Sequence, residues 1–348
     1  MQAFKNHLIS NGSSVIQALE LLNQLSPDSI LFVIDHEGKL IGSLTDGDIR
    51  RGLLNNFTVS SKIDDIIQPN PHFIKKGEND IQKIINYRDR MFKILPVVDE
   101  QMKVVNVINF RNIRSYLPID AVIMAGGRGL RLQPLTDVMP KPLLKVGGKP
   151  IMEYNLDLLA SYGVEDFWVT VKYLGEQIQN YFGNGSKKNI KIEYVWETEP
   201  LGTIGAVSKI VNFKHDYLLV INSDLLTNID FENFYLDFIN KNADFAVLTI
   251  PYNVKIPYGV FETENASIKS LKEKPIYTYF SNGGVYLMKK EVLKYIPKNS
   301  LYNSTDLIES LIAKDYKVIS YPFSGYWLDV GKHDDFEKAQ VDINNFKF

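Results

Sequence analysis

The sequence predicts an α/β protein: a mostly parallel sheet with helices on both faces, preceded by a smaller α+β module built from an internal repeat. Three observations predict it. From residue 117 onward, strand-length apolar runs alternate with amphipathic helical stretches. Before that point, a unit of helix, strand, turn, strand and helix occurs twice. The first apolar run of the larger part then ends in a glycine-rich loop. Such alternation argues for parallel strands joined by crossover helices, and a repeated unit argues for copies that pack on each other.

In chain order, the first copy holds SSVIQALELLNQL at helical spacing, then SILFVID and GKLIGSLTDGDIRRGLL. Asp46 and Asp48 there read as turn residues capping a helix that starts near Ile49. The second copy holds NDIQKIINYRDRMFKILPVVDE and KVVNVINFRNIRSYL. RSYLPID, 114–120, reads as the join, which sets domains at 1–116 and 117–348. In the second part the runs 121–124, 167–171, 192–195, 217–221 and 245–249 read as strands, and 152–162 and 202–210 as helices. Chemistry in such a sheet gathers beyond the carboxyl ends of the strands.

Composition narrows the function. A length of 348 residues favours two or more domains. A net charge of −2 offers no basic excess for nucleic acid or an anionic membrane. The absence of cysteine removes disulfides, thiolate metal sites and cysteine nucleophiles. No apolar run approaches the roughly 20 residues of a membrane span, and MQAFKNHLISNGSSV lacks an apolar signal core. A cytoplasmic location is the expectation.

The run AVIMAGGRGLRLQPLTDVMPKPLLKVGGKPI, 121–151, carries the most information. Glycines after a strand let backbone N–H groups turn toward an anion and approach it closely. Here Ala125, Gly126, Gly127 and Gly129 form that loop, and Arg131 and Lys141 add cations where a polyphosphate would lie. Two prolines flank Lys141 and stiffen its loop; the plainer reading is a solvated lysine. The pattern A-G-G-x-G-x-R-L-x-P-L-T followed by P-K-P resembles the signature of the sugar-1-phosphate nucleotidyltransferases. It is neither a P-loop nor a dinucleotide fingerprint.

That resemblance implies a Rossmann-like nucleotidyltransferase sheet. It also implies attack of a sugar-1-phosphate oxygen on the α-phosphorus of a nucleoside triphosphate, with loss of pyrophosphate. The nucleophile is already ionised, so positioning and charge carry the catalysis. By motif, Lys141 corresponds to the lysine at the transferring phosphate and Arg131 to the arginine gripping pyrophosphate. Asp224, at the end of YLLVINSDLL, and Asp329, in W-x-D-x-G, are the implied Mg²⁺ ligands, since this ion needs few protein donors. Read alone, each is an ordinary turn or cap residue. In KEKP, YFSNGGVY and PYGVF, the resemblance puts the sugar phosphate on Lys274 and the sugar on Glu273, Asn282, Gly283 with Gly284, and Gly259.

ETEPLGTIGAV, 197–207, resembles the base-reading segment. Gly202 and Gly205 leave room for a flat ring, and Thr203 is positioned to cap the helix that follows. Guanine offers two adjacent donors that one carboxylate accepts together, so Glu197 and Glu199 lean toward GTP. Uridylyl- or thymidylyl transfer, and a nucleotide-responsive sensor without turnover, are the alternatives.

The repeat resembles a tandem pair of cystathionine-β-synthase-type (CBS) modules. Gly42, Thr45 and Asp48 match G-x-x-T-x-x-D, whose Thr and Asp meet an adenine nucleotide in that family. Asn106, Asn109 and Asn112 stand at the corresponding places of the second copy and lose the charged acceptor. A purely structural or dimerising pair is the other reading, and a homo-oligomer is expected. CBS modules ahead of such an enzyme resemble the guanylyltransferases of bacterial nonulosonate pathways such as legionaminic acid. The implied acceptors are glucosamine-1-phosphate or mannose-1-phosphate. No hexapeptide repeat of the β-helix kind is present.

Overall fold

The computed structural model describes residues 3–78 and 80–345. The chain divides into two compact units. One runs to Pro118 and includes Ala160–Glu165 and Gly185–Ile190; the other holds the rest.

In the first unit the elements are β1 (Leu8–Ser10), α1 (Val15–Gln24), β2 (Ile30–Ile34), β3 (Leu40–Thr45), α2 (Asp46–Leu54) and β4 (Gln68–Pro69). β5 (Ile74–Lys75), α3 (Ile81–Asp89), β6 (Ile94–Val98) and β7 (Val104–Asn109) follow. The repeat is visible in the pairing. β1 lies parallel to β2 and β2 antiparallel to β3, and β5, β6 and β7 do the same. Both hairpins turn on one device. Asp35 Oδ1 accepts from the N–H groups of Glu37 and Lys39, and Asp99 Oδ1 from those of Gln101 and Lys103, all at 2.9 Å. Phe32, Leu40, Ile94 and Val98 are buried together, so the two copies share a core.

Two expectations change here. α2 begins at Asp46, not near Ile49, because Thr45 is the N-cap and Asp48 completes a capping box with it. The second copy lacks its closing helix. Where Thr45 receives the N–H three residues on, Asn109 Oδ1 accepts from Arg111 N at 3.0 Å, two residues on, and closes a turn instead. Pro118 then disfavours helix at Leu117, and the next strand starts at Ile119.

The second unit runs β8 (Ile119–Ala125), β9 (Lys145–Val146), β10 (Lys149–Pro150), α4 (Ile151–Ser161), β11 (Asp166–Val171), α5 (Gly175–Phe182), β12 (Lys191–Trp196), β13 (Tyr217–Asn222), β14 (Leu225–Thr227) and α6 (Phe231–Asn240). It continues with β15 (Phe245–Lys255), β16 (Val260–Glu264), β17 (Ser267–Lys272), β18 (Ile276–Lys289), α7 (Ser304–Ile312), β19 (Val318–Pro322), β20 (Trp327–Asp329) and α8 (His333–Asp342). Seven strands form one sheet in the order β12-β11-β8-β13-β18-β15-β19. The first four are mutually parallel, β18 is antiparallel to both neighbours, and β19 runs parallel to β15. β8 sits inside the sheet and is buried along nearly all its length, as a doubly covered parallel strand must be, with Asp120 its one charged residue. Each strand predicted for this part lies within an observed one.

The predicted helix over 202–210 is only a 3₁₀ segment, Gly205–Lys209. Gly202 has φ +76°, outside the right-handed helix, and the N–H groups of Ile204 and Gly205 donate to Tyr302 O. Those bonds leave the local chain, so no α-helical ladder forms. Thr203 therefore caps no helix of its own; its Oγ1 accepts from Ser304 N at 2.9 Å, at the start of α7. Among the described residues, no helix is long and apolar enough to cross a membrane.

Candidate functional site

The carboxyl ends of β8 and β13 open on the glycine loop and on Asp224. A Cβ at Gly127 would meet nothing within 4 Å, so the loop backbone faces open space there. Gly129 has φ +65°, and a Cβ on it would stand 3.1 Å from Lys141 Cβ. Only glycine meets both demands. The loop beyond is held by Thr136 Oγ1, which donates to Gly129 O at 2.9 Å. The Tyr173 hydroxyl donates to the carbonyls of Thr136 and Asp137 at 2.9 and 3.0 Å, and its ring lies under the Arg128 guanidinium.

Lys141, Asp224 and Asp329 converge. β14 pairs with β20 so that Leu225 faces Asp329, and Val330 N donates to Asp224 O. The Lys141 side chain is buried; Nζ bonds Asp224 Oδ2 and lies 3.7 Å from Asp329 Oδ1. A Cβ on Gly331 would stand 3.3 Å from Arg131 Nη2, which puts that guanidinium at the same edge. Burial, and next the Asp224 charge, push the Asp329 carboxyl above its ordinary range, against Lys141 and Arg131. Asp224 Oδ1 and Asp329 Oδ1 are buried with no hydrogen-bond partner among the described residues. Two orphaned carboxylate oxygens side by side suit a hard divalent cation.

The base segment lies against the glycine loop at one point. A Cβ on Gly126 would stand 2.7 Å from Glu197 Oε1, and Glu197 Oε2 accepts from Leu201 N at 3.1 Å. Burial raises the Glu197 pKa, opposed by that N–H, by Lys172 and Lys209, and by the Thr170 hydroxyl. Glu199 is exposed. Gly202 and Gly205 do not face an open slot: Cβ atoms there would stand 2.6 Å from Tyr302 O and 2.8 Å from Ser300 O. Their small size serves backbone packing against 300–302.

The sugar motifs fall into two groups. Asn282 Oδ1 accepts from Gly284 N at 2.9 Å, Gly283 O accepts from Trp327 Nε1 at 2.8 Å, and Gly284 abuts Asn222. These sit beside the β13–Asp224 corner. Gly259 and Glu273 also meet, since a Cβ on Gly259 would stand 3.0 Å from Glu273 Oε2. That pair and Lys274, however, lie at the far end of the β15–β18 ribbon. There Ile276 pairs with Lys255, while Asn282 pairs with Thr249. At about 3.3 Å per residue, the strand from Ile276 to Asn282 alone spans roughly 20 Å.

Sequence reasoning passed over Tyr173, Asn222, Tyr286 and Ser304. Asn222 adjoins Asp224 in the sequence and could have been found. The others are joined only by folding. Asn282 Nδ2 donates to the Tyr286 hydroxyl, which bonds Ser304 Oγ, both at 2.8 Å, and Thr203 Oγ1 donates to Ser304 Oγ at 3.3 Å.

In the first unit Asp48 is fully committed. Its carboxylate accepts from Thr45 N and Oγ1 at 2.8 and 2.6 Å and from Gln68 Nε2 at 2.8 Å, and it pairs with Arg51. Burial raises its pKa, but these bonds outweigh it and hold the carboxyl below its usual range. Asn109 Nδ2 donates to Asp28 Oδ2 at 2.5 Å, and Arg111 pairs with the same carboxylate at 3.1 Å. A cleft of about 560 Å³ is lined instead by Leu40, His72, Phe73, Lys83, Tyr87 and Met102 among others.

A nucleotidyl transferase family model matches residues 120–345, and a CBS domain model matches residues 7–55. Among curated relatives, the UTP–glucose-1-phosphate uridylyltransferase of Synechocystis is 30% identical, over 63% of this chain and 62% of its own. The mannose-1-phosphate guanylyltransferase of Mycobacterium tuberculosis is 30% identical, over 65% and 64%. The D-glycero-alpha-D-manno-heptose 1-phosphate guanylyltransferase of Aneurinibacillus thermoaerophilus is 29% identical, over 66% of this chain and all of its own. The chain thus spans somewhat under two thirds of the first two. Among solved structures, HddC from Yersinia pseudotuberculosis complexed with GMP-PN matches at 24% identity and a TM-score of 0.50, over 64% of this chain and 98% of that one. That likeness is one of fold.

Proposed function

The chain belongs to the nucleotidyl transferase family, and from that premise we propose that it is an active sugar-1-phosphate nucleotidyltransferase that uses GTP. The observation that carries the activity is the convergence of Lys141, Asp224 and Asp329 beyond the carboxyl ends of parallel strands. An oxygen of the sugar-1-phosphate bonds to the α-phosphorus of the triphosphate, the α–β bridging bond breaks, and pyrophosphate leaves. Gly126, Gly127 and Gly129 cradle the polyphosphate with backbone N–H groups. Lys141 presents a cation to the transferring phosphate, and Arg131 holds the departing pyrophosphate. Asp224 and Asp329 would hold Mg²⁺, which neutralises and orients the phosphates when bound.

Glu197 is the residue assigned to base choice, because of the two glutamates it alone stands at the glycine loop. Asn282 and Gly283 line the sugar, with glucosamine-1-phosphate favoured over mannose-1-phosphate. Lys274 serves the sugar phosphate, and Glu273 and Gly259 the sugar, only if the ribbon folds over the site when substrate binds. The repeat over 1–116 is read as a structural or dimerising CBS pair, since helix capping already consumes Thr45 and Asp48. An adenine nucleotide at that pair is the competing reading. The whole is placed in the cytoplasm as a homo-oligomer.

The test is a turnover screen with Mg²⁺ and pyrophosphatase, crossing five nucleoside triphosphates with glucosamine-, mannose-, glucose- and N-acetylglucosamine-1-phosphate. Turnover confined to GTP supports the Glu197 assignment. Turnover with UTP or TTP keeps the enzyme and removes that assignment. No turnover with any pair favours a sensor.

A further inference from the structure

Arg131 is exposed, and a long exposed side chain is placed only as firmly as the backbone beneath it. The loop that carries it closes mostly on itself. Leu132 N donates to Gly129 O, Gln133 N to Leu130 O, and Thr136 Oγ1 to Gly129 O. Two anchors, at the two residues that follow Arg131, tie this loop to the segment that carries Asp329. Leu132 is wholly buried in one cluster with Leu328 and Val330 of that segment and Ala339 of α8. His333, the first residue of α8, bonds Gln133 O through Nε2 at 2.8 Å. Among the described residues this is the one hydrogen bond that reaches 130–133 from beyond the loop.

The place of His333 is itself fixed from Asp329 onward. Gly331 N donates to Asp329 O at 2.8 Å, and Lys332 N donates to Asp335 Oδ2 at 3.2 Å where α8 starts. A Cβ on Gly331 would stand 3.3 Å from Arg131 Nη2 and 3.5 Å from Asp329 Oδ1, so guanidinium and carboxylate border one point. The His333 bond joins the two chain segments just beyond that point. Its partner is a carbonyl, so Nε2 carries the hydrogen, and in the neutral ring Nδ1 is an acceptor. A ring in that state offers a phosphate no donor. Its effect runs through the backbone it holds.

We infer that His333 is a positioning residue for pyrophosphate: by fixing Gln133 it holds Arg131 at the edge that Asp329 occupies. The inference deepens the reading above and rests on its assignment of Arg131 to the departing pyrophosphate. A planar fork matched to two oxygens loses that match with a small displacement. Lys141 sits on a separate 3₁₀ turn and bonds Asp224, so its placement does not depend on this anchor.

Calorimetric titration of the full chain with magnesium pyrophosphate is the first measurement, since it needs no turnover. His333→Ala should weaken binding about three- to tenfold, the range of one lost hydrogen bond. His333→Gln, which returns an Nε2–H donor, should restore most of it. If His333→Ala fails to fold, His333→Leu keeps the bulk and deletes only the donor. In an Arg131→Ala background the loss of His333 should cost nothing further, because the group it positions is gone. A histidine that only holds the fold would weaken binding equally in both backgrounds. That result overturns the inference, as does unchanged binding in His333→Ala, wild-type affinity in Arg131→Ala, or no binding by the wild type. In the reverse reaction, His333→Ala should raise KM for pyrophosphate and leave KM for the nucleotide-sugar unchanged; equal rises in both reject the assignment. A wild type that binds pyrophosphate but turns over no substrate pair refutes the functional reading alone, and the calorimetric comparison still decides the role of His333.

Discussion

A Cβ on Gly126 would stand 2.7 Å from Oε1 of Glu197. The glutamate cannot simply swing aside, because its other oxygen accepts from Leu201 N. Gly126→Ala should therefore displace the residue assigned to base choice and leave the sheet alone. The expected result is a fall of about tenfold or more in kcat/KM for the triphosphate, tenfold being about 1.4 kcal/mol of transition-state stabilisation. The melting temperature should change little. Steady-state kinetics with differential scanning fluorimetry decides this, and unchanged kinetics would detach Glu197 from the site.

Lys141 is the only side chain bonded to Asp224 among the described residues and lies 3.7 Å from Asp329. Lys141→Met removes from two adjacent carboxylates the cation that bonds Asp224, leaving Arg131 near Asp329. Removing one partner of a buried pair exposes the cost of the other, here discounted for partial solvent access to about 1–3 kcal/mol. Without metal the variant should melt lower than wild type, and Mg²⁺ should raise its melting temperature by more than it raises wild type. An equal Mg²⁺ response in both proteins would dissociate the lysine from the metal position. Asp224→Asn should lower turnover at least about a hundredfold with the fold intact. Near-normal turnover in saturating Mg²⁺ would remove Asp224 from the mechanism.

Much of this site was legible in sequence because its parts are local. A strand, three glycines and a lysine between prolines lie within one short run, and local sequence dictates their backbone. The strands of the second unit were legible because each is a nearly continuous apolar run. What sequence hid was the destination of hydrogen bonds. Gly202 and Gly205 look like space for a base, yet the N–H groups of Ile204 and Gly205 bond Tyr302, a hundred residues on. Asn109 occupies the place of Thr45 but closes its turn one residue earlier, and a helix is lost. The E-K-P motif is readable, but its distance from Asn282 follows from strand register, which a single sequence does not display.

Asp48 tests the structural reading of the first unit. It joins α2 to Gln68 and Arg51 and completes the cap with Thr45. Asp48→Ala removes a buried acceptor with several donors, so a loss of about 1–3 kcal/mol is expected. Urea unfolding of the full chain measures it. Calorimetry with ATP and AMP should show no binding to wild type that the substitution abolishes. Nucleotide binding lost with Asp48 would restore the ligand reading.

Asp120 gives the clearest pH signature. It is wholly buried, and its Oδ2 accepts from the N–H groups of Lys214 and His215 at 2.7 and 2.8 Å. Burial nonetheless pushes its pKa up to about 6. Between an unfolded value near 3.9 and about 6, the folded chain holds a proton that the unfolded chain has lost, so this group's contribution falls as pH rises through that window. Asp120→Asn keeps an acceptor and abolishes the titration. Its stability relative to wild type should therefore rise from pH 4 to pH 6.5 and then level off. Urea midpoints of both proteins across that range measure the difference. A constant difference would mean that Asp120 is ionised throughout.

The Tyr286 hydroxyl joins the two substrate ends of the proposed site. It accepts from Asn282, in the sugar motif, and bonds Ser304, which Thr203 of the base segment also bonds. Tyr286 and Ser304 are buried, where a satisfied network is stiff and a broken one costly. Tyr286→Phe deletes one oxygen and leaves Asn282 and Ser304 each short of a partner, at about 1–3 kcal/mol of stability. If the chain of bonds only holds the fold, kinetics measured well below the melting transition should be unchanged. If it positions both ends, Asn282→Ala should raise KM for the sugar-1-phosphate alone and Thr203→Ala for the triphosphate alone. Tyr286→Phe should then raise both, with kcat falling less than either KM rises. Ser304→Ala, which interrupts the same chain one residue further on, should reproduce that pattern, whereas a loss confined to one substrate would show that the two ends are positioned independently.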